Sequence, residues 1–261
     1  MTSGIKVVLL AGGLGTRLRE ETEYRPKPMV DIGGRPVLWH IMKHFSVHGL
    51  HDFVVCAGYR GEVIKDFFLH YHASTSDFTV TLANPPSIEY HGETAESEWK
   101  VTVVDTGLET QTGGRVNRIR RFLDDQPFMV TYGDGLGDVD VSALLAFHKA
   151  HGKLATVTTV RPLTRFGVMD LQADGTVSQF REKPQMDGHV NAGFFVFQPE
   201  VLEYLDDHAV LEQAPLEQLS KDGELVAFAH EGFWQPMDTY REYRALNDIW
   251  DAGDAPWKTW T

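Results

Sequence analysis

Cysteine is almost absent from the sequence: Cys56 is the single cysteine among 261 residues. One thiol excludes a disulfide within the chain and is typical of proteins in a reducing compartment, so we expect a cytoplasmic location. Cys56 lies in the apolar run FVVCAG, which favours a small buried side chain over a reactive thiol.

Basic residues and long apolar runs are also scarce. The formal net charge is −13, which argues against general nucleic-acid binding because that needs a basic surface. An anionic small substrate is compatible with this charge, but its site has to be built locally from lysine, arginine, backbone N–H groups and a divalent cation. No apolar run reaches the roughly 18 residues of a membrane-spanning helix, and the first residues, MTSGIKVVLL, lack the layout of a signal peptide. We therefore expect neither nucleic acid nor a membrane as a partner.

Two common phosphate-binding motifs are missing from a loop that otherwise suits phosphate. Residues 7–30, VVLLAGGLGTRLREETEYRPKPMV, begin as a buried strand and continue into a loop with three glycines. A P-loop needs Gly-Lys-Ser/Thr after its second glycine, and a dinucleotide-binding loop that starts at Gly13 needs glycine where Leu18 stands. These mismatches disfavour kinases and dehydrogenases. The glycines still let backbone N–H groups approach an anion. A ligand-free strand-to-helix turn is the alternative, but it does not explain Arg17 and Lys27.

Strand and helix patterns alternate along the first half of the chain. Apolar β-rich runs predict strands at 5–10, 52–58, 100–105 and 128–135, with helices at 35–49, 61–72 and around 113–123. This order predicts an α/β fold with a doubly wound, mostly parallel sheet. Ligands of such sheets bind at the carboxyl ends of the strands. The glycine loop and the segment YGDG (132–135) should therefore lie at one edge.

The second half is richer in strands. The strand-like segments are 154–161, 166–172, 175–182, 192–198 and 224–230. We predict that they form a mixed or antiparallel extension of the same sheet. Since no Pro/Gly/Ser linker separates the halves, we expect one domain over 1–261, with a nucleotide-binding half (1–135) and a sugar-phosphate-binding half with the C-terminal tail (136–261). Residues 83–99 show no clear period and predict a surface excursion, a lid or an arm to a neighbouring subunit.

Two aromatic patterns favour packing over ligand binding. His40, His44 and His48 recur every four residues, but eight helical residues span about 12 Å, so one ion cannot contact all three. A packed helix face is the better explanation, and a two-histidine metal site stays open. Core packing or a subunit contact is likewise favoured over sugar stacking for the late tryptophans, Trp234, Trp250, Trp257 and Trp260.

Five motifs in a fixed order resemble one family. They are LAGGLGTRL (10–18) with PKPMV (26–30), YGDG (132–135), FREKP (180–184), NAGFFVF (191–197) and FWQPMDT (233–239). Together they resemble the sugar-1-phosphate nucleotidyltransferases, which make nucleotide sugars. The resemblance implies a Rossmann-like core. It also implies in-line attack of a sugar phosphate on the α-phosphorus of a nucleotide, with positioning and charge neutralisation as the main catalytic factors.

The resemblance assigns roles residue by residue. It implies that Arg17, Lys27, Asp134 and Asp238 are catalytic, and that the two aspartates bind Mg²⁺. Arg17 would bind the leaving pyrophosphate, and Lys27 would lie nearer to the bond that forms. It implies that the nucleotide-binding residues are Leu10, Ala11, Gly12, Gly13, Leu14, Gly15, Thr16, Arg17, Lys27, Thr110, Gly113, Gly114, Arg115 and Gly133. It implies that the sugar phosphate is bound by Gly167, Glu182, Lys183 and Asn191.

Further segments are similar to one branch of that family, whose members join CTP and glucose 1-phosphate into CDP-glucose and pyrophosphate for polysaccharide synthesis. These segments are KPMVDIGGRPVLWHIMKHFSVHG, TGGRVNRI, GFWQPMDT and APWKTW. The branch implies a homo-oligomer, by resemblance a hexamer. UTP or dTTP as the donor is the alternative within the family. A silent nucleotide-sugar-binding homologue is another alternative, against which the complete set of cations and carboxylates argues.

Selection of the base is expected in residues 105–119, DTGLETQTGGRVNRI. There the backbone of Gly113 and Gly114 could lie against the base edge, while Thr110 and Arg115 could donate hydrogen bonds. The alternative is that this segment only begins a helix, with Thr112 as its N-terminal cap.

Overall fold

A seven-stranded sheet forms the centre of the structure, a computed structural model that describes residues 4–92 and 94–260. The strands of the described residues are β1 (Lys6–Ala11), β2 (Asp31–Ile32), β3 (Arg35–Pro36), β4 (Asp52–Ala57), β5 (Asp77–Thr81), β6 (Ser87–His91), β7 (Lys100–Asp105), β8 (Phe128–Tyr132), β9 (Gly135–Gly137), β10 (Ala155–Val160), β11 (Val168–Leu171), β12 (Val177–Arg181), β13 (Val190–Phe197), β14 (Leu225–Ala229) and β15 (Trp234–Pro236).

Helices connect these strands and cover the sheet. They are α1 (Arg19–Thr22), α2 (Val37–Val47), α3 (Gly61–Leu69), α4 (Tyr71–Thr75), α5 (Thr112–Arg118), α6 (Val141–His151), α7 (Ala214–Lys221) and α8 (Tyr240–Asp251). Short 3₁₀ helices occur at Thr16–Leu18, Lys27–Met29, Arg120–Phe122 and Pro199–Tyr204. No helix of residues 4–92 and 94–260 is long and apolar enough to span a bilayer.

The order of the central sheet is β14-β10-β13-β8-β1-β4-β7. β1 pairs in parallel with β4 and β8, β4 with β7, and β10 with β14. β13 is antiparallel to both of its neighbours, β10 and β8. The prediction of a doubly wound, mostly parallel sheet with a mixed extension is therefore confirmed.

Strand β1 shows why the sheet is covered on both faces. Its side chains alternate between two buried clusters because successive residues of a strand point to opposite faces. Val7 and Leu9 pack with side chains of α2, α3, α6 and α8, whereas Val8 and Leu10 pack with side chains of α5 and α7. A strand buried on both faces reads as a continuous apolar run, which is how β1 and β4 were recognised in the sequence.

The histidines of α2 are part of the core. The Nε2 atom of His40 lies 2.8 Å from the carbonyl oxygen of Ile32, and that of His44 lies 2.9 Å from the carbonyl oxygen of Val139. Burial lowers the pKa of both imidazoles to about 4. Trp250, Trp257 and Trp260 pack around the His40 ring, and Trp257 is 1% exposed. The expected packing of the histidine face is confirmed, and so is core packing for these three tryptophans.

Two hairpins differ from the sequence-based expectations. β11 and β12 pair only with each other, so the prediction that 166–172 and 175–182 extend the central sheet was wrong. β6 pairs with β5, so part of segment 83–99 is a strand. Both strands of that hairpin are exposed along their whole length. The apolar-in, polar-out signal of a half-buried strand is therefore weak there.

The other predicted boundaries of helices and strands differ from the observed ones by a few residues. The predicted helix 61–72 is divided into α3 and α4, and the predicted helix at 113–123 is α5 followed by a 3₁₀ turn. The predicted strand 128–135 ends at Tyr132 because the chain turns through Gly133 and Asp134 before β9 begins.

Candidate active site

A cleft of about 610 Å³ opens at the carboxyl ends of β1 and β8. The two strands are parallel, with Leu10 opposite Tyr132, so the loops that follow them meet at the same edge. The backbone N–H of Gly133 donates to the carbonyl of Leu10 at 3.0 Å, and this bond joins the two loops. The expected shared edge is confirmed. Predicted site residues that line the cleft are Leu10, Ala11, Gly12, Gly13, Leu14, Gly15, Thr16, Arg17, Lys27, Thr110, Arg115, Gly133, Asp134, Asn191 and Asp238.

The glycine loop depends on a buried arginine behind it. Arg115 is 5% exposed, and its guanidinium donates to the carbonyl of Gly12 at 2.9 Å, that of Gly107 at 2.8 Å and the hydroxyl of Thr106 at 2.7 Å. A Cβ atom on Gly12 would lie 2.1 Å from this guanidinium. Burial lowers the pKa of Arg115.

Arg115 therefore has a different position from the one expected. Its terminal nitrogens also contact the carbonyls of Ala57 at 3.2 Å and Leu108 at 3.3 Å, so they are directed at protein oxygens. The hydrogen bonds that we expected Arg115 to donate to a nucleotide are instead donated to protein oxygens. The guanidinium connects the glycine loop to the loop after β7.

A cluster of two cations and two carboxylates lies at one end of the cleft. The Nζ atom of Lys27 lies 2.5 Å from Oδ2 of Asp134 and 2.7 Å from Oδ1 of Asp238. The side chain of Lys27 is 10% exposed, and Pro26 and Pro28 restrict the backbone that carries it. Arg17 is 68% exposed and its Nη1 lies 3.0 Å from Oδ2 of Asp238.

The charge of Asp238 is stabilised by its neighbours. Burial alone would raise the pKa of this carboxyl, but the hydrogen bond and charge of Lys27, followed by the charges of Arg17 and Arg165, hold the pKa below its ordinary value. Asp238 is therefore ionised at neutral pH, as a metal ligand or phosphate-site counterion needs to be.

The two aspartates are far apart in the chain and are brought together by a short ladder. β9, which follows Asp134, pairs with β15, which precedes Asp238, and the N–H of Met237 donates to the carbonyl of Asp134 at 2.8 Å. On its other side Asp238 is oriented by the start of α8. Glu242 accepts from the backbone N–H groups of Asp238 and Thr239, both at 2.9 Å, in a capping box.

The carboxylates suit a hard divalent cation. Asp134 and Asp238 each direct one oxygen at the same point, which the ammonium of Lys27 fills as a monovalent stand-in for a cation. Mg²⁺ commonly binds through one or two carboxylates, with phosphate oxygens and waters as the other ligands. Among residues 4–92 and 94–260 there is no cluster of three or more histidine, cysteine, aspartate or glutamate side chains that could bind a metal without such help.

Residues 6–245 match the protein-family model described as Nucleotidyl transferase. The chain belongs to the nucleotidyl transferase family. It is 53% identical over 259 residues to the glucose-1-phosphate cytidylyltransferase of Salmonella typhi, an alignment that covers 98% of this chain and 100% of the relative. It is 39% identical over 258 residues to the probable glucose-1-phosphate cytidylyltransferase of Bacillus subtilis, with the same coverage of both chains.

Solved structures share the fold of this nucleotidyltransferase. The crystal structure of HddC from Yersinia pseudotuberculosis superposes with a TM-score of 0.70 at 22% identity, covering 94% of this chain and 99% of that chain. At this identity the likeness concerns the fold alone.

Around Asn191 the nucleotidyltransferase cleft contains a hydrogen-bond network that the motifs indicated only in part. The hydroxyl of Tyr132 donates a short hydrogen bond to Glu212 and accepts from the amide of Asn191 at 3.2 Å. Thr112 donates to the other carboxylate oxygen of Glu212 at 2.6 Å. Burial, and then the charge of Glu212, raise the pKa of Tyr132. Asn191 is oriented by this network and lines the cleft. Glu212 had no motif or spacing that would have revealed it.

The other three predicted sugar-phosphate residues are outside the cleft wall. Gly167, Glu182 and Lys183 belong to the hairpin of β11 and β12 and its flanking turns, and they are absent from the lining among the described residues. Lys183 has a left-handed backbone with φ of 45°, and its Nζ lies 3.5 Å from Glu182. Of the four residues expected to bind the sugar phosphate, Asn191 therefore lines the cleft and these three lie on an exposed hairpin.

The two glycines that were expected to lie against the base, Gly113 and Gly114, are absent from the cleft lining among the described residues. Gly113 and Gly114 are buried in α5, and the N–H of Gly114 donates to the carbonyl of Ala209 at 2.9 Å. A Cβ on Gly114 would lie 2.4 Å from the carbonyl oxygen of Asp207. The prediction that their backbone faces a base edge is corrected, because they pack against residues 206–211. The segment does begin a helix, although Thr112 is its first residue and not its cap.

Proposed function

We propose that this nucleotidyltransferase transfers a cytidylyl group from CTP to α-D-glucose 1-phosphate, giving CDP-glucose and pyrophosphate. The observation that carries the proposal is the 53% identity, over nearly the whole of both chains, to a glucose-1-phosphate cytidylyltransferase. The cleft supports it, because it combines a glycine loop, two cations and two carboxylates at one edge of the sheet.

The nucleotide triphosphate would bind along the glycine loop. Backbone N–H groups of residues 12–16 can converge on its oxygens, and the exposed guanidinium of Arg17 can form paired hydrogen bonds with the leaving pyrophosphate. Arg115 keeps the loop in place from behind. Arg17, which lies 3.0 Å from Asp238, would then stabilise the charge that develops on the pyrophosphate.

The reaction needs two polyanions to approach one another. Lys27 would neutralise phosphate oxygens at the attacking side, and Asp134 and Asp238 would hold Mg²⁺. When bound, that ion would supply positive charge to the phosphoryl oxygens of both substrates. The protein would also position the two substrates, so that the sugar-phosphate oxygen attacks the α-phosphorus in line as pyrophosphate leaves. No protein nucleophile is required.

We assign the sugar phosphate to Gly167, Glu182, Lys183 and Asn191. Asn191 supports this assignment directly because it lines the cleft and is oriented through Tyr132. Lys183 supports it through chemistry, since it is an accessible ammonium on an exposed hairpin. Contact of Lys183 with a substrate in the cleft requires that the hairpin and the substrate approach one another.

The base is selected, in this proposal, by the part of residues 105–119 that faces the cleft. That part is residues 108–112 and Arg115, which line it, whereas Gly113 and Gly114 pack against Ala209 and Asp207. Cytosine presents a 4-amino donor where uracil presents a carbonyl acceptor, so an acceptor in this wall would favour CTP. A site that leaves a polar group unpaired against the wrong base can discriminate strongly.

Pyrophosphate release tests the proposed reaction. The four common nucleoside triphosphates and dTTP are each combined with several sugar 1-phosphates in the presence of Mg²⁺. We expect the highest kcat/KM for CTP with glucose 1-phosphate. If kcat/KM for UTP or dTTP equals that for CTP, the assignment of CTP as the donor is wrong, while membership of the nucleotidyl transferase family stands. Binding of CDP-glucose without turnover of any pair would instead support a silent regulatory homologue.

Three further properties belong to the same proposal. Mg²⁺ as the cofactor is supported by the two converging carboxylates, and a homo-oligomer is supported by the resemblance to the cytidylyltransferase branch. A cytoplasmic location is supported by the single, buried cysteine, whose pKa burial raises to about 12.

We also propose one domain over 1–261, supported by the pairing of β8 in the first half with β13 in the second.

A further inference from the structure

The ammonium of Lys27 lies where a divalent cation has to bind. Its Nζ atom is 2.5 Å from Oδ2 of Asp134 and 2.7 Å from Oδ1 of Asp238, so one oxygen of each carboxylate is directed at the ammonium. Only 10% of the lysine side chain is exposed, while the side chains of Asp134 and Asp238 are 32% and 18% exposed. Solvent therefore weakens this interaction less than it weakens a salt bridge between fully exposed side chains.

One site cannot contain both cations. A bound Mg²⁺ lies about 2.0–2.1 Å from each ligand oxygen. An ammonium within hydrogen-bond distance of the same two oxygens would then be next to a divalent charge, which is strongly unfavourable at such short range. Binding of the metal to both aspartates therefore requires that Lys27 move away from them.

The displaced ammonium needs a new partner. Lys27 is buried, and a buried charge that loses its counterions is strongly destabilising. An anion can reach it from the nearby cleft, because Lys27 lines that cleft together with the glycine loop. A phosphate group in the cleft would accept the ammonium and so free the two carboxylates.

We propose that Lys27 is an internal counterion that excludes divalent cations from Asp134 and Asp238 until a phosphate substrate is bound. The inference rests on the proposed function for the identity of that substrate. It makes the binding of metal and of phosphate mutually favourable, since each removes an obstacle to the other. The protein without substrate thus keeps its two carboxylates neutralised and binds free metal weakly.

Arg17 provides a matched comparison. It contacts Asp238 at 3.0 Å but its side chain is 68% exposed, and its salt bridge is to Oδ2 and not to Oδ1, the oxygen that Lys27 contacts. Removal of Arg17 deletes one positive charge near the same site without opening the point where the two carboxylates converge. If the loss of any nearby positive charge raises the affinity for metal, variants of Arg17 and of Lys27 should show the same increase. If Lys27 occupies the metal position, the larger increase should appear only in Lys27 variants.

The test is titration of Mn²⁺, followed by electron paramagnetic resonance, with no nucleotide or sugar phosphate present. The proteins are wild type, Lys27→Met, Lys27→Gln, Lys27→Arg and Arg17→Met. We expect weak binding to wild type and Lys27→Arg, and affinity higher by on the order of tenfold or more in Lys27→Met and Lys27→Gln, because a contact charge has been removed. Arg17→Met should gain less. Addition of Asp134→Asn to Lys27→Met should abolish the gain and so locate the ion.

Two results would overturn the inference. One is Mn²⁺ affinity in the neutral Lys27 variants that does not exceed that of Arg17→Met. The other needs no Lys27 variant: tight Mn²⁺ binding by the wild-type protein, with no phosphate present, that is lost in folded Asp134→Asn. Because the titration contains no substrate, failure of cytidylyl transfer would show in the pyrophosphate assay and leave these affinities unchanged.

Discussion

The guanidinium of Arg115 donates a hydrogen bond to the carbonyl of Gly12 at 2.9 Å, across 103 residues of chain. The same group contacts the carbonyls of Gly107 and Ala57 on the neighbouring strand ends. The glycine loop is therefore attached to the sheet by one buried side chain behind it. Its geometry depends on the absence of a side chain at Gly12 as much as on the loop itself.

Substitution of Gly12 should consequently disturb the protein more than substitution of its neighbour. A Cβ at Gly12 would lie 2.1 Å from the Arg115 guanidinium, whereas one at Gly13 would meet no heavy atom of the described residues within 4 Å. We expect Gly12→Ala to lower the free energy of unfolding by about 1–3 kcal/mol, as overpacking typically does. Gly13→Ala is the control and should keep a Tm close to that of wild type. Thermal unfolding of both variants measures this, and equal Tm values would contradict it.

The metal assignment predicts the effect of two conservative changes. Asp134→Asn and Asp238→Asn each remove one charged oxygen from the point of convergence. Turnover at limiting Mg²⁺ should fall by roughly two orders of magnitude or more, since the charge neutralisation of the phosphoryl groups is lost. Asp254→Asn, at an exposed position, is the control and should keep the wild-type rate. Near-normal rates in a folded Asp134→Asn or Asp238→Asn protein would remove that residue from the site.

Steady-state kinetics should distinguish the cation that contacts the leaving pyrophosphate from the cation that binds glucose 1-phosphate. Arg17→Ala should mainly lower kcat, because charge on the departing pyrophosphate builds up in the transition state. Lys183→Ala should mainly raise KM for glucose 1-phosphate, with a smaller effect on KM for CTP. Both side chains are well exposed, so the variants should fold normally. The reverse pattern would mean that the two cations serve the opposite substrates.

Gly114 should matter for packing and not for the base. A Cβ there would lie 2.4 Å from the carbonyl oxygen of Asp207, so Gly114→Ala should lower Tm by several degrees. The ratio of kcat/KM for CTP to that for UTP should stay at its wild-type value. A changed ratio in the folded variant would show that α5 takes part in base selection after all.

Buried histidines predict a loss of stability in mild acid. Burial lowers the pKa of His40 and of His44 from 6.5 to about 4. Between these values the unfolded chain binds a proton that the folded protein does not, so the free energy of unfolding falls as pH decreases from about 6.5 towards 4. Each histidine contributes about 3 kcal/mol at most to this fall. Urea denaturation at pH 7.5 and 5 measures the slope.

Variants assign that slope to these residues. Replacement of His44 by glutamine should reduce the pH dependence, while His189→Asn, at an exposed position, should leave it unchanged. If the free energy of unfolding depends on pH in both variants as it does in the wild type, groups other than His44 cause that dependence.

The fold was predictable where burial leaves a strong pattern. β1 and β4 are continuous apolar runs because both of their faces are covered. The hairpins of β5–β6 and of β11–β12 were missed or misplaced because their strands are largely exposed and pair only with each other. Exposed strands need no strict alternation of polar and apolar residues, so little of their pairing is visible in the chain.

The sequence by itself determined which chemical groups stand at the ends of the strands. Glycines, Arg17 and Lys27 follow β1, and Asp134 follows β8, because strand ends and turns depend on neighbouring residues. Tertiary structure alone decided that Lys27 lies between Asp134 and Asp238 and that Arg115 turns inward. Those contacts join residues 107, 211 and 103 positions apart. They arise from strand pairing and from the requirement that buried charges and donors find partners, which no local pattern specifies.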